Sequence, residues 1–205
     1  VDFEGKYYRV EKAKLNTPFC PQHRSSPEIY VSGHSERSEA LAYSQGTCWL
    51  RVADTPEKLQ PAVARMRARG IEICLRLCLV CRSSREEAVR AVESLLPADS
   101  SESTIALKDD SSMYREGARI SRDEYWLNRG LWTGLVPHYG PVWTTLLGTS
   151  RELADAFLAY KRIGVTQFII SGWPEVDEML RFGSDVLPLI RDAEREERTA
   201  SVSVR

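Results

Sequence analysis

The sequence has no long hydrophobic run and almost no net charge. No window approaches the roughly 18 consecutive apolar residues of a membrane-spanning helix, and no secretory signal peptide opens the chain. The formal net charge is -1 over 205 residues, which provides no general attraction to nucleic acid. We therefore expect neither a membrane nor a nucleic acid as a partner.

The cysteines are few and odd in number. There are five, and three of them lie in one apolar run: Cys20, Cys48, Cys74, Cys78 and Cys81. This pattern does not suit a disulfide framework and indicates free thiols in a reducing cytoplasm. A zinc site in the apolar run is disfavoured, because Cys81 faces away from Cys74 and Cys78 on a strand and no ligand spacing fits. We expect no metal ion.

The remaining composition is that of an ordinary globular domain, with 42% hydrophobic and 28% charged residues. The length suits one domain or a large part of a bigger one. The chain opens on Val1 and in the middle of a motif, VDFEGKYYRV. We therefore expect a piece of a longer protein.

Short β-type runs alternate with helical patterns along the chain. Strands are predicted at 28–32, 47–51, 71–81 and 165–171, each followed by an amphipathic segment. Helix starts are indicated by Thr55 before Pro56, by Ser84, and by the capping box from Thr149 to Glu152, whose helix ends before Gly164. This order predicts parallel βαβ units, in either a doubly wound sheet or a (β/α)8 barrel.

About four such units are present, which is half a barrel. A half-barrel leaves two unpaired parallel edges and an uncovered interior, so we expect it to pair with another half-barrel or to self-associate. Residues 97–130 are rich in Ser, Asp and Glu, which predicts an insertion that is part loop and part helix. Residues 196–205 are predicted to be a frayed tail.

The sequence resembles the C-terminal half of the bacterial luciferase-like flavin monooxygenases, and most of all two-component alkanesulfonate monooxygenase. The resemblance is carried by VDFEGKYYRVEKAKL, SPEIYVSGHSERSEALA, LRLCLVCRSSREEAVRAVESLL, LLGTSRELADAFLAYKRIGVTQFIISGWP and RFGSDVLPLI. It implies that residues 1–205 are the C-terminal part of one TIM-barrel domain whose N-terminal half is absent from this chain.

The resemblance also implies a chemistry and its partners. The family makes a flavin hydroperoxide from reduced FMN and oxygen and uses it to attack a small-molecule substrate. A separate NAD(P)H-dependent flavin reductase usually supplies the reduced FMN. We expect the same cofactor and partners here.

The segment 32–35 follows the first predicted strand and precedes a helix. Its residues are Ser32, Gly33, His34 and Ser35. Glycine allows close backbone approach, and hydroxyls with the free amides of a helix start bind anions. The matching family loop holds the FMN phosphate. The alternative is a plain strand-to-helix turn with Ser35 as the helix cap.

The third strand alternates between two faces. Cys74, Arg76 and Cys78 point one way and the leucines between them point the other way, toward the helix layer. Arg76 is then expected inside the barrel, where it would bind a sulfonate or flavin anion, as an arginine does in the family. The alternative is a structural ion pair with an acidic residue of the missing half. Cys78 replaces the histidine of the alkanesulfonate enzymes.

Three further positions depart from the family pattern. Val52 stands where an aromatic residue follows the second strand, and Tyr139, between His138 and Gly140, stands where a mobile loop supplies an arginine. Trp173 replaces a tyrosine in the turn SGWP at the top of the last strand, and we expect it to form a pocket wall. The alternative for Trp173 is a core plug.

Two functions follow from this pattern. The first is a reduced-FMN monooxygenase acting on an organosulfur, alkanesulfonate-like or other organic substrate, with Arg76, Cys78, Tyr139 and Trp173 at its site. The second is a non-catalytic flavin-binding or partner subunit of the same fold, because the matching His, Arg and Tyr are all replaced.

Overall fold

The computed structural model describes residues 1–14, 27–98, 112–122 and 124–203. The eight strands of this part of the chain are β1 (Phe3–Glu4), β2 (Arg9–Val10), β3 (Tyr30–Ser32), β4 (Cys48–Val52), β5 (Glu72–Cys81), β6 (Leu131–Trp132), β7 (Thr145–Gly148) and β8 (Gln167–Gly172). The eight α-helices are α1 (Glu36–Gln45), α2 (Pro56–Arg67), α3 (Arg85–Glu93), α4 (Ser112–Ile120), α5 (Val136–Tyr139), α6 (Ser150–Arg162), α7 (Glu175–Arg181) and α8 (Leu187–Ser203). Cys20 lies outside the described residues.

Four parallel strands form the centre of the sheet in the order β3, β4, β5, β8. Strand β5 is ten residues long and extends beyond β4. Its last residues pair with β7 along the edge that β4 has left, and β6 adds antiparallel to β7. In the described part of the chain, β3 and β8 each pair on one side only.

One face of this sheet is covered by helices. Leu75, Leu77 and Leu79 of β5 are fully buried there, as the alternation of the strand predicted. They belong to two clusters, one with α1, α2 and α6 and the other with α6 and α8. A third cluster packs α3 and β6 against Val80 and Leu147, on the other face of the sheet at its upper end. Parallel strands with one layer of helices and one open concave face are half of a (β/α)8 barrel, which confirms the fold predicted from the sequence.

The predicted helix starts are present with their caps. The Ser84 hydroxyl accepts a hydrogen bond from the Glu87 amide, and Thr149 and Glu152 form the reciprocal capping box. Gly164 has a φ of 108°, which is a conformation that glycine adopts without steric cost. Thr55 precedes Pro56 as predicted, but its side chain makes no capping bond.

The C-terminal helical region is continuous to the end of the described residues. It consists of α7 and α8 joined by a π-helical turn, Phe182–Val186. Its backbone stays helical through Ser203, although a frayed tail was predicted from residue 196. Ion pairs from α6 to α8, Lys161 with Glu194 and Arg162 with Glu197, hold this end against the preceding helix. No helix of the described ranges is long and apolar enough to cross a membrane.

Candidate functional site

The concave face of the half-barrel collects the inward side chains of β4, β5 and β8. The register places Val52, Arg76 and Ile169 in one row, and Cys78 beside Ser171 in the next row toward the carboxyl ends. Barrel active sites lie at these carboxyl ends. The lower end of the face is closed by a hydrogen bond between the Tyr30 hydroxyl and the Gln167 side chain, which reach across β4 and β5.

Arg76 lies in the middle of this face. Its side chain is partly exposed, yet its Nε atom is buried and has no hydrogen-bond partner among the described residues. Arg76 forms no ion pair in the described part of the chain, and the structural pair considered from the sequence involves the N-terminal half of the barrel, so it stays an alternative. A guanidinium placed in this way remains available to an anion.

Cys78 lies next to Arg76 along the same face. Its Sγ atom donates to the Val142 carbonyl at 3.4 Å, and its side chain is buried. Burial raises the pKa of the Cys78 thiol to about 12, although the charge of Arg76 opposes this effect. Cys78 is therefore a neutral thiol near pH 7 and cannot act as a general base.

Three aromatic side chains, Tyr139, Trp143 and Trp173, share one cavity. This cavity of about 400 Å³ is lined by Ser94, Leu95, Tyr139, Trp143 and Trp173. The Tyr139 and Trp143 rings are 5.1 Å apart, and the Tyr139 hydroxyl donates to the Leu95 carbonyl at 3.0 Å. Trp173 is 56% exposed in this half-barrel and borders this cavity, which is compatible with the predicted pocket wall.

Glu178 positions the turn that carries Trp173. The role of Glu178 was not predicted from the sequence. It is fully buried on α7 and accepts a hydrogen bond from the Cys81 amide at 2.9 Å. Its other oxygen contacts the guanidinium groups of Arg82 and Arg181. A Cβ atom on Gly172 would lie 2.3 Å from the Glu178 Cβ, so only glycine allows α7 to pack this closely. The three-residue spacing of Glu178 and Arg181, which suits an ion pair on one helix face, was the signal in the sequence that could have indicated Glu178.

The segment 32–35 forms the loop between β3 and α1. Gly33 has a φ of 140°, which favours glycine, and its carbonyl accepts a hydrogen bond from the buried Trp49 indole at 3.0 Å. The Ser32 side chain is exposed. The Ser35 hydroxyl accepts from the Ser38 amide at 3.2 Å and so caps α1. The capped turn is therefore present, and it leaves the first-turn amides of α1 without acceptors inside the helix.

His34 is half-buried in this loop and contacts Arg51 of β4. The Arg51 Nη2 and Nε atoms lie 2.9 and 3.3 Å from the His34 Nδ1 atom. Burial and the charge of Arg51 lower the pKa of His34 from 6.5 to about 4. Sequence reasoning did not single out Arg51. Arg51 follows Trp49 by two residues on the same face of β4, and this spacing was the signal in the sequence that could have indicated their contact.

Helix α4 of the insertion lies over the ends of these strands. Arg119 pairs with Asp54, which follows β4, at 3.0 Å, and with Glu116 at 2.7 Å. Gly117 packs against Pro141, where an added Cβ would be 2.8 Å from the proline ring. The described part of the predicted insertion is thus docked on the site side of the barrel.

In the described residues, no three His, Cys, Asp or Glu side chains converge in a way that could hold a metal ion.

The profile of the family described as luciferase-like monooxygenase matches residues 1–167. The chain belongs to this family. The match covers the segment 32–35, Arg76, Cys78 and Tyr139, and it ends before Trp173.

Solved structures show the same fold for this luciferase-like chain. A riboflavin lyase, determined with modified FMN and riboflavin, is 22% identical to this chain with a TM-score of 0.66. The alignment covers 95% of this chain and 48% of the riboflavin lyase chain. EDTA monooxygenase from Chelativorans sp. BNC1 is 19% identical with a TM-score of 0.64, covering 94% and 50%. A long-chain alkane monooxygenase is 17% identical with a TM-score of 0.58, covering 94% and 46%. The chain spans about half the length of these proteins.

Proposed function

We propose that this chain is the C-terminal half of a reduced-FMN-dependent monooxygenase that oxygenates an organosulfur or other organic substrate. The observation that carries the proposal is the loop at 32–35, which lies at the carboxyl end of β3 in a chain of the luciferase-like family. Structural neighbours of this fold include EDTA and long-chain alkane monooxygenases and a protein solved with modified FMN.

The loop fits a flavin phosphate. Gly33 keeps the backbone free of a side chain where the chain turns, and the exposed Ser32 hydroxyl and the first amides of α1 are donors. The indole of Trp49 donates a hydrogen bond to the Gly33 carbonyl and so occupies this acceptor. Phosphate oxygens would therefore meet donors at this loop.

Reduced FMN, when bound, supplies the chemistry that activates oxygen, so that one oxygen atom enters the substrate and the other leaves as water. The residues of this chain would bind the flavin and the substrate and would orient them. Arg76 would hold an anionic group of flavin or substrate, and Trp173, Tyr139 and Trp143 would form an aromatic wall for the substrate. Cys78 would present a neutral thiol in place of a base.

We propose four partners for this protein. An NAD(P)H-dependent flavin reductase would supply reduced FMN, oxygen and a small molecule would be the substrates, and an N-terminal half-barrel or a second copy would cover the concave face. The free thiols of Cys48, Cys74, Cys78 and Cys81 are compatible with a cytoplasmic location.

The first experiment tests the phosphate loop in the complete protein. The double variant Ser32→Ala with Ser35→Ala should weaken FMN binding by roughly 1–3 kcal/mol, the scale of hydrogen bonds to a charged group. Riboflavin, which lacks the phosphate, should bind almost unchanged. Ser44→Ala on α1 is the matched control, since its hydroxyl bonds only to Leu41 of its own helix. Equal losses for FMN and riboflavin would place the phosphate elsewhere.

A non-catalytic flavin-binding role is the second candidate, and one observation favours it. None of the replaced positions offers a free base: the Cys78 thiol stays protonated, the Tyr139 hydroxyl already donates to Leu95, and Trp173 carries only an indole N–H. Mixing pre-reduced, FMN-bound protein with oxygen in a stopped-flow instrument separates the two. A delayed recovery of oxidised-flavin absorbance supports the oxygenase, and recovery as fast as for free reduced FMN supports the non-catalytic role.

A further inference from the structure

Arg51 is a largely buried cation placed directly behind the loop at 32–35. It lies on β4, and its guanidinium stacks over the Trp49 ring at 4.7 Å from the ring centre. The same Trp49 holds the Gly33 carbonyl, and the Arg51 guanidinium itself holds the His34 ring. Gly33 and His34 of the loop are therefore both hydrogen-bonded to the neighbouring side chains of Trp49 and Arg51 on β4.

This cation has no carboxylate partner of its own in the described ranges. Glu116, Glu39 and Asp54 attract Arg51 only from a distance. Each of them is already paired, Glu116 and Asp54 with Arg119 and Glu39 with Arg65. A charge removed from water without a paired counterion is costly, and burial lowers the pKa of Arg51 accordingly. An anion bound at the loop would supply the missing counterion.

His34 is held in one protonation state by this contact. Its Nδ1 atom faces a guanidinium, which can only donate, so Nδ1 must accept and the ring proton lies on Nε2. With a pKa of about 4 the ring is neutral at pH 7. His34 therefore offers a single oriented N–H donor, backed by a positive charge.

We propose that Arg51, acting with His34, determines the preference of this loop for a phosphate monoester, and so for FMN over riboflavin. The inference rests on the proposed function, because it assigns a specificity-determining residue to the same flavin site. Glu36 and Glu39 in the first turn of α1 oppose an anion, and Glu39 is neutralised by Arg65 while Glu36 is exposed. The positive charge of Arg51 offsets this local repulsion.

The test measures FMN and riboflavin affinities of the complete protein by flavin fluorescence, for wild type and three variants. Arg51→Met keeps an unbranched stem over Trp49 and removes the charge. It should weaken FMN by about 10- to 100-fold, as for loss of a charge-assisted contact, and riboflavin by less than about threefold. Arg51→Lys keeps the charge and should retain FMN within about tenfold. Arg69→Met removes an arginine whose guanidinium lies over the Tyr43 ring of α1, away from the first turn of that helix, and it should change neither affinity.

Each outcome separates the inference from the proposed function. If Arg51→Met weakens FMN and riboflavin equally, Arg51 only supports the fold and the inference fails, while the flavin site stands. If wild type binds FMN no more tightly than riboflavin, the loop holds no phosphate and the proposed site itself fails. If Arg51→Met does not fold, Arg51→Gln decides, because it keeps a donor for the His34 ring and removes the charge: a loss confined to FMN supports the inference, and an equal change or no change for the two flavins overturns it.

Discussion

Removing the charge of Glu178 should destabilise the protein, whereas the same change at an exposed glutamate of α7 should not. Glu178 is completely buried, and its carboxylate accepts from the Cys81 amide and from two arginines. Glu178→Gln preserves the shape and one acceptor oxygen, but it turns an amide NH2 toward cations. Hydrogen bonds to charged groups contribute about 1.5–3 kcal/mol each.

The expected loss is limited by the surroundings of the two arginines. The side chains of Arg82 and Arg181 are 22% and 41% exposed, so they can turn toward water once their partner is neutral. We therefore expect about 2 kcal/mol, below the 3–5 kcal/mol for breaking a fully buried pair. At this chain length that corresponds to a fall of about 4–8 °C in the midpoint of thermal unfolding.

The assay is thermal and urea unfolding followed by circular dichroism, with Glu175→Gln as the control. Glu175 lies in the first turn of the same helix and is exposed, so its loss should stay within about 0.5 kcal/mol. Equal midpoints for Glu178→Gln and Glu175→Gln would refute the reasoning that this carboxylate clamps α7 to the end of β5.

Four other predictions follow from the site. Arg76→Met should lower turnover by about 100-fold with the fold intact, as for loss of a charged stabilising donor, whereas a loss of stability instead would indicate a structural ion pair. Cys78→His should raise sulfite release from simple alkanesulfonates if the chain derives from a sulfonate oxygenase; no sulfite from either form, with flavin bound, would remove sulfonates as substrates. The pKa of His34 is lower in the folded state, about 4 against 6.5, so the stability it contributes is complete above pH 6.5 and is lost as the pH falls toward 4. The loss should reach at most roughly 3 kcal/mol in urea titrations at stepped pH, and His34→Gln should flatten the profile. The isolated chain should self-associate or pair with an N-terminal half-barrel in analytical ultracentrifugation, and a monodisperse, cooperatively folding monomer would contradict this.

The sequence by itself determined the four central parallel strands, the helix starts after Ser84 and Thr149, and the faces of the central strand. These features depend on neighbouring residues: alternation along β5 separates Arg76 and Cys78 from the leucines, and local caps such as Thr149 with Glu152 begin the helices. The resemblance to the luciferase-like family had the same basis, because its motifs are contiguous segments that follow the order of strands and helices.

Only the tertiary structure decided which side chains meet at the site. Arg51 and His34 are 17 residues apart, and Glu178 is 97 residues from the Cys81 amide that it accepts from. No local pattern encodes such pairs, because they arise when parallel strands bring their carboxyl ends together and a helix folds back over them. The neighbours of Trp173 have the same origin: its place between Gly172 and Pro174 is visible in the sequence, but Tyr139 and Trp143, which line the same cavity, are distant along the chain.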